Sequence, residues 1–341
     1  MKVEVLTGFE GLDESRWNGL LAEARYPSVF LSWQWQTAWA RAFLGSRPLH
    51  LLRVTDDAGA LAGVLPLYDE SPGLRRFVGG VDVSDYLDVI APARREADVW
   101  QALLQHRAEE TAEWDLHAIR AASSTLEILP RLAGAIGIGA HVEREDRCPV
   151  LELPGSWDAY LERLSGKDRH ELRRKIRKLE RELPGTSVRS HASAEGWDGA
   201  LTAFLDLHRL SKVGKARFMD ERMEAFFRDA TRALAERGWA RLWFLDRDGS
   251  AVASFLCLEY LRPAGGSIGQ AGGSIGLYNS GFDPAHAKLA PGIVLLAHVI
   301  RDAIERRVPV FDFLRGEEPY KYAFGPTPRD VLAIEIAEAG R

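Results

Sequence analysis

LLRVTDDAGALAGVLPLY, residues 51–68, and LWFLDRDGSAVASFLCLEY, residues 242–260, read the same way: an apolar strand, an Asp/Gly turn, a second apolar strand. Gly59 and Gly249 both sit at the turn, 190 residues apart. Turn residues between two apolar runs are a hairpin signal. A second correspondence follows each hairpin. The helix-periodic ADVWQALLQHRAEETAE leads into the short strand WDLHAIR, as PGIVLLAHVIRDAIERR leads into VPVFDFLRG. Asp115 and Asp312 then correspond, 197 residues apart. Two nearly equal offsets point to a duplication. Each half is expected to hold helices, an antiparallel hairpin, another strand, a helix and a closing strand, a mixed α/β (α+β) class.

A chain of 341 residues is long enough for two such domains. The boundary is expected near CPVLELPGSWDAYLERL, giving domains 1–152 and 153–341. Ser156 there is a natural helix cap. The alternating DVLAIEIAEA at 330–339 predicts a final strand that could pair with either half.

The net charge of -5 argues against a globally basic nucleic-acid binder while leaving room for a local basic patch. Two cysteines, Cys148 and Cys257, both in apolar surroundings, supply neither a metal template nor a disulfide framework. No apolar leader and no run of about 18 apolar residues is visible, so a cytoplasmic protein without a membrane span is expected.

Four segments carry candidate chemistry. In LSGKDRHELRRKIRKLERELPG, Leu172, Ile176, Leu179 and Leu183 form a narrow helical stripe, and the other faces are rich in Lys and Arg. This is either a solvated helix or a polyanion site, with Lys167 and Arg169 at the entrance best placed for phosphate. The glycine run GGSIGQAGGSIG, 265–276, lacks the context of a nucleotide loop and is expected to form a loop and strand with close backbone approach. In GFDPAHAKLAPGIVLLAHVIRDAIERR a strand ends near Phe282 and Pro291-Gly292 opens a long amphipathic helix. Such a start is either a well-capped core helix or a ready site for an anion such as pyrophosphate. VDVSDYLDVI, 81–90, sets Asp85, Tyr86 and Asp88 in an apolar, strand-like run, where acids need partners or water, and a turn with satisfied carboxylates is the expected arrangement. The nine histidines, His170, His208 and His286 among them, are scattered and read as structural or exposed. No hydrolase triad, Cys nucleophile or metal-ligand pair is present in the pattern.

FDFLRGEEPYKYAFG, 311–325, preceded by the Pro291-Gly292 helix, resembles the GNAT-type acyltransferases of bacterial cellulose and exopolysaccharide synthesis, relatives of the Fem-type aminoacyltransferases. LSGKDRHELRRKIRKLE, SDYLD and FLSWQWQTAWARAF are similar to further signatures of that family, so the resemblance spans nearly the whole chain.

The resemblance implies two tandem GNAT-like domains, each a mostly antiparallel sheet flanked by helices, and acyl transfer from acetyl-CoA or another acyl-CoA, without a metal. The acceptor would be an amine or hydroxyl on a small molecule or saccharide. The donor's pyrophosphate would lie on Lys288, Ala290, Pro291, Gly292 and Ile293. The sequence departs from the usual Gln/Arg-x-x-Gly-x-Gly/Ala pattern, of which only Lys288 and Gly292 keep a likeness, and Fem-type relatives use aminoacyl-tRNA, which makes tRNA the alternative donor. Lys167 and Arg169 would then meet its phosphates. Lys321, with Arg315 and Tyr320, is expected to line the acceptor or oxyanion side. Asp283 or Glu317 is expected to act as base, and Asp88 with Tyr86 to complete the cleft from the first domain. A non-catalytic scaffold in a polysaccharide-synthesis complex is a third expectation.

Overall fold

The computed structural model describes residues 1–108, 112–261 and 273–338. The chain divides into two compact units. Unit 1 holds Met1–Arg147 and the chain from Arg329 onward, and unit 2 is Cys148–Pro328. The passage from one to the other falls inside a strand, β6 (Ile138–Glu152), and the return falls inside β12 (Thr327–Glu338).

Unit 1 begins with β1 (Lys2–Leu6), α1 (Glu14–Glu23) and α2 (Trp33–Trp39). The hairpin β2 (Leu49–Thr55) and β3 (Leu61–Ser71) follows, then β4 (Leu74–Phe77), α3 (Glu96–Arg107), β5 (Glu113–Arg120) and α4 (Thr125–Ala135). β1 to β4 pair successively and antiparallel, β4 and β5 are parallel, and β12 pairs antiparallel with β5. The last strand thus joins the first half. Its alternating Val331, Ala333, Ile334 and Ile336 are all buried.

Unit 2 runs α5 (Trp157–Arg163), α6 (Gly166–Glu182), β7 (Thr186–His191), α7 (Trp197–Ser211), α8 (Val213–Phe218) and α9 (Glu221–Glu236). The second hairpin, β8 (Ala240–Arg247) and β9 (Ser250–Tyr260), precedes β10 (Ser274–Phe282), α10 (Pro291–Glu305), β11 (Val310–Asp312) and α11 (Pro319–Tyr322). β7 to β10 are antiparallel in order, β11 lies parallel to β10, and its far side pairs with Val150–Glu152 of β6. Both units are therefore mixed, mostly antiparallel sheets flanked by helices, in the expected element order.

Local chemistry sets the helix starts. Ser156 Oγ accepts from Ala159 N at 3.2 Å. Ser165 and Asp168 cap α6 reciprocally, Oγ accepting from Asp168 N and donating to its carboxylate. Burying α10 against Trp243, Phe255 and Ile275 of the sheet, and against Leu172 and Leu179 of α6, forms the main apolar core of unit 2.

Residues 81–90 hold a turn at 81–83, a bend at Asp85 and one bridge from Ile90 to Val64, in line with the turn expected there. The closing strand of the second half is only three residues long, because Leu314 turns away at φ +56. Most of the glycine run, 265–272, lies outside the described residues. Its end shows the close approach: a Cβ on Gly273 would lie 1.9 Å from the Tyr260 carbonyl oxygen.

Candidate active site

β10 and β11 run side by side for three pairs, Ser274–Val310, Ile275–Phe311 and Gly276–Asp312, and then part. The buried Asp312 accepts from Leu314 N at 2.8 Å, which turns the chain aside. From Leu277 to Phe282, β10 keeps only β9 as a strand neighbour among the described residues. One edge of its backbone is open at the C-terminal end of a parallel pair.

Just beyond the parting, β10 carries a bulge: Leu277 pairs with Cys257, but Asn279 pairs with Leu256. The extra residue, Tyr278, reverses the alternation of side chains. Asn279 and Gly281 consequently face α7. Asn279 Oδ1 lies 2.9 Å from His208 Nε2. A Cβ on Gly281 would lie 2.5 Å from His208 N, so only glycine lets the helix come this close. His208 is 1% exposed. Burial, with the charge of Lys215 next, lowers its pKa to about 4 and keeps the ring neutral; its Nδ1 has no partner among the described residues. The amine of Lys215, on α8, donates to the carbonyl oxygen of Ser280 and lies 3.0 Å from its Oγ. Burial, reinforced by Lys212 and opposed by Glu318, lowers the Lys215 pKa to about 8.

After β11 the chain forms a tight loop with Gly316 at φ +104. Lys321 holds it. Its Nζ donates to the carbonyls of Arg315 (2.9 Å), Gly316 (3.0 Å) and Leu314 (3.4 Å) and pairs with Glu318 at 2.9 Å. The side chain of Lys321 is 4% exposed, so it clamps three backbone carbonyls from inside. Tyr320 is exposed, and Glu317 accepts from the Tyr322 hydroxyl at 2.8 Å. Burial raises the Glu318 pKa, but the Lys321 hydrogen bond and charge outweigh it and leave it lowered.

At the other end of β10, Asp283 accepts from Ala285 N at 2.9 Å and caps a 3-10 turn, Pro284–Leu289. His286 Nε2 lies 3.9 Å from its carboxylate. Ala290 takes a left-handed conformation, φ +50, and α10 starts with no side-chain cap and no acid in its first turn. Gly292 has open space where a side chain would be. Pro291 supplies no N–H, and Ile293 N already bonds Ala290 O at 3.0 Å, so Gly292 carries the free donor of this helix start. Lys288 is exposed, and its carbonyl accepts from Lys178 of α6 at 3.0 Å.

On α6, Leu172, Leu179 and Leu183 are buried and Ile176 partly so. Lys167, His170, Arg173, Arg174, Arg177 and Arg181 fall within about 120° of arc opposite that stripe, at about 3.6 residues per turn. Glu171 draws in Arg174 (2.7 Å) and Lys175 (3.7 Å), and Glu182 takes Arg181. Arg169 donates to Leu161 O at 3.4 Å, which ties it to the end of α5.

Two candidates lie in unit 1, inside its own packing. Tyr86 is 5% exposed, with the Arg120 guanidinium 3.7 Å from its ring centroid. Asp88 accepts from Thr125 Oγ1 (2.6 Å), Val89 N (2.8 Å) and Ser123 Oγ, and burial lifts its pKa to about 6.

The open edge of β10 thus gathers Asn279, Ser280, His208, Lys215 and Glu318, with the clamped loop beside them. Lys215, Ser280 and Asn279 escaped the sequence reading, which took His208 as structural or exposed. SKVGKARF looks like an ordinary polar helix, and the bulge that brings Asn279 to His208 leaves no mark in local composition.

Residues 166–322, from the start of α6 to the end of α11, match the family model described as Acetyltransferase (GNAT) domain. The matched segment contains this edge, the loop and the α10 start. No curated protein matches the sequence. Among solved structures, the crystal structure of FemX is similar with a TM-score of 0.65 at 12% identity, covering 98% of this chain and 97% of that one. A conserved protein of unknown function from Bacteroides thetaiotaomicron gives 0.61 at 10% identity, covering 98% and 100%. L-PGS from Bacillus licheniformis gives 0.60 at 12%, covering 96% and 93%. These likenesses concern the fold over both units. No helix among the described residues is long and apolar enough to cross a membrane.

Proposed function

We propose that unit 2 transfers an acyl group from an acyl-CoA to an amine or hydroxyl acceptor, in polysaccharide or cell-envelope metabolism. The observation that carries this reading is the open edge of β10, which leads from the parting at Gly276 to the uncapped, acid-free start of α10. Backbone groups along such an edge can bond the amides of an extended donor arm, and the helix start favours its phosphates. Lys288, Ala290, Pro291, Gly292 and Ile293 form that start, with Gly292 N–H as its free donor and Lys178 and Lys288 as nearby cations.

Arg315 and Tyr320 stand on the acceptor side in this reading, and Lys321 positions the loop that carries them. Backbone donors near the bulge would meet the carbonyl oxygen as it becomes an oxyanion, a contribution of about 10²–10³ in rate. Calorimetric titration with acetyl-CoA and longer acyl-CoAs tests the reading. Binding is expected, with a rise in melting temperature. Absence of binding by every acyl-CoA tried would remove it.

A second reading has its own support. The cationic arc of α6 faces away from the core, and Pro291 leaves the α10 start with few donors for a pyrophosphate. Both fit an aminoacyl-tRNA donor, and FemX shares the fold. Binding of tRNA that falls steeply with salt would favour this reading over acyl-CoA. A chain that binds neither donor would be a scaffold in a polysaccharide-synthesis complex.

A further inference from the structure

Resting on the acyl-transfer reading of unit 2, we propose that Lys215 is the general base of the reaction. Its amine, held on the open edge of β10 by Ser280, takes the proton that the acceptor gives up as it attacks the acyl carbonyl.

Position comes first. Lys215 reaches the carbonyl of Ser280 on the stretch of β10 that has lost its second strand neighbour, two residues past the bulge at Tyr278. An acyl group lying along that edge would come within reach of the amine. A neutral lysine amine donates two hydrogens and keeps one lone pair. With the hydrogens engaged by Ser280 O and Oγ, the lone pair remains to accept a proton.

Basicity comes second. Desolvation is the main influence on Lys215 and favours the neutral amine. The charged and titratable groups around it are Lys212 at the head of α8, His208 and Arg209 on α7, and Glu318 on the loop. His208 is neutral, Arg209 is committed to Glu224, Lys212 favours deprotonation, and Glu318 alone opposes it. The resulting value of about 8 is close to that of an effective base near neutrality. The carboxylates offered by the sequence are less suited. Asp283 is spent on a helix cap, and Glu317 accepts from Tyr322.

The step balances as follows. The acceptor nitrogen or oxygen bonds to the carbonyl carbon, and the carbon–sulfur bond of a thioester, or the carbon–oxygen bond of an ester donor, breaks. The leaving group departs with the electron pair. The acceptor proton goes to Lys215 Nζ, which passes it to the leaving group or to water.

The chain has eight lysines, so reductive ¹³C-methylation resolves them by NMR, and loss of one signal in Lys215→Arg assigns it. That signal should titrate near 8; a midpoint above about 10, the ordinary lysine value, overturns the proposal. Lys215→Arg keeps the cation and its donors but cannot give up a proton at these pH values. With acetyl-CoA as donor and ethanolamine as acceptor, the variant should bind acetyl-CoA normally and lose on the order of 10²–10⁴-fold in kcat. The wild-type rate should climb with pH and level off above about 8, a shape the variant lacks. Full rate in Lys215→Arg would sink the proposal while leaving acyl transfer intact. A wild-type chain that neither binds nor turns over acyl-CoA or charged tRNA overturns the acyl-transfer reading itself, and the base with it.

Discussion

In unit 1, β4 lies beside β5 for three pairs, Leu74–Glu113, Arg75–Trp114 and Arg76–Asp115; in unit 2, β10 lies beside β11 for three pairs ending at Gly276–Asp312. Beyond that shared construction the units diverge. Arg76 forms an ion pair with Asp115 at 2.7 Å across the point of parting, and His117 sits between Asp115 (2.7 Å) and Glu145 (3.5 Å). The space past the parting is taken by the unit's own chain: Leu87 N bonds Ala118 O at 2.9 Å, with Tyr86 stacked under Arg120. The next helix, α3, carries Glu96 and Asp98 in its first turn, which repel an anion. In unit 2, glycine stands opposite the aspartate, no strand among the described residues fills the gap, and α10 begins without an acid. The same three-pair construction is thus bridged by an ion pair in unit 1 and left without a second strand neighbour in unit 2 among the described residues.

The largest expected effect comes from bringing the closure of unit 1 into unit 2. Gly276→Arg sets a guanidinium opposite Asp312, and even its Cβ would crowd Leu314 at 3.1 Å. Acetyl-CoA turnover should fall on the order of 10²-fold or more, the scale of misplaced reacting groups. An unchanged rate would mean that the open edge of β10 is not where the donor lies.

Lys321→Met removes the donor to three loop carbonyls and leaves Glu318 without its cation. It should destabilise unit 2 by about 3 kcal/mol, seen as a lower urea midpoint. Native stability in this variant would show that the loop holds itself.

Gly292→Glu copies the acidic first turn of α3. An acid there should stabilise the helix by about 0.3–1 kcal/mol while weakening acyl-CoA binding about tenfold. The opposite signs separate a donor site from a structural helix start; unchanged affinity would break the comparison at this end.

The smallest effect is a pH slope confined to unit 1. The Asp115 and Glu145 carboxylates, partly offset by burial, raise the His117 pKa to about 9 from 6.5. A raised value means that its stabilisation is complete below pH 6.5 and is lost as pH rises through 9. Protection of β5 amides, relative to their intrinsic exchange rates at each pH, should fall across that window, and His117→Asn should remove the slope. Two residues after Asp312 unit 2 has Leu314, so its corresponding amides should not respond in this way.

How far the sequence could be read follows from which interactions are local. The hairpins, the Ser156 cap, the stripe of α6 and the Pro291-Gly292 start depend on neighbours within a few residues, and all were legible. The correspondence of Asp115 with Asp312 was legible too, because each is the third residue of the strand that follows a helix. The run 81–90 was legible as a turn with satisfied carboxylates: its chain is irregular, and Asp88 accepts from Ser123, Thr125 and Val89. The hold of Lys321 on three loop carbonyls was not legible, because it depends on how the loop folds back. The cap that Asp283 makes on Ala285 N is local as well, and its spacing could have suggested it.

By itself the sequence determined the duplicated element order, the helix starts and the identity of the chemically rich C-terminal segment, because periodicity and capping act over a single turn or strand. Only the tertiary structure decided that the last strand pairs with β5, that one parting is filled while the other is open, and that Lys215 meets Ser280. Those outcomes depend on contacts between residues tens to hundreds of positions apart, and on a one-residue bulge that turns Asn279 toward a buried histidine.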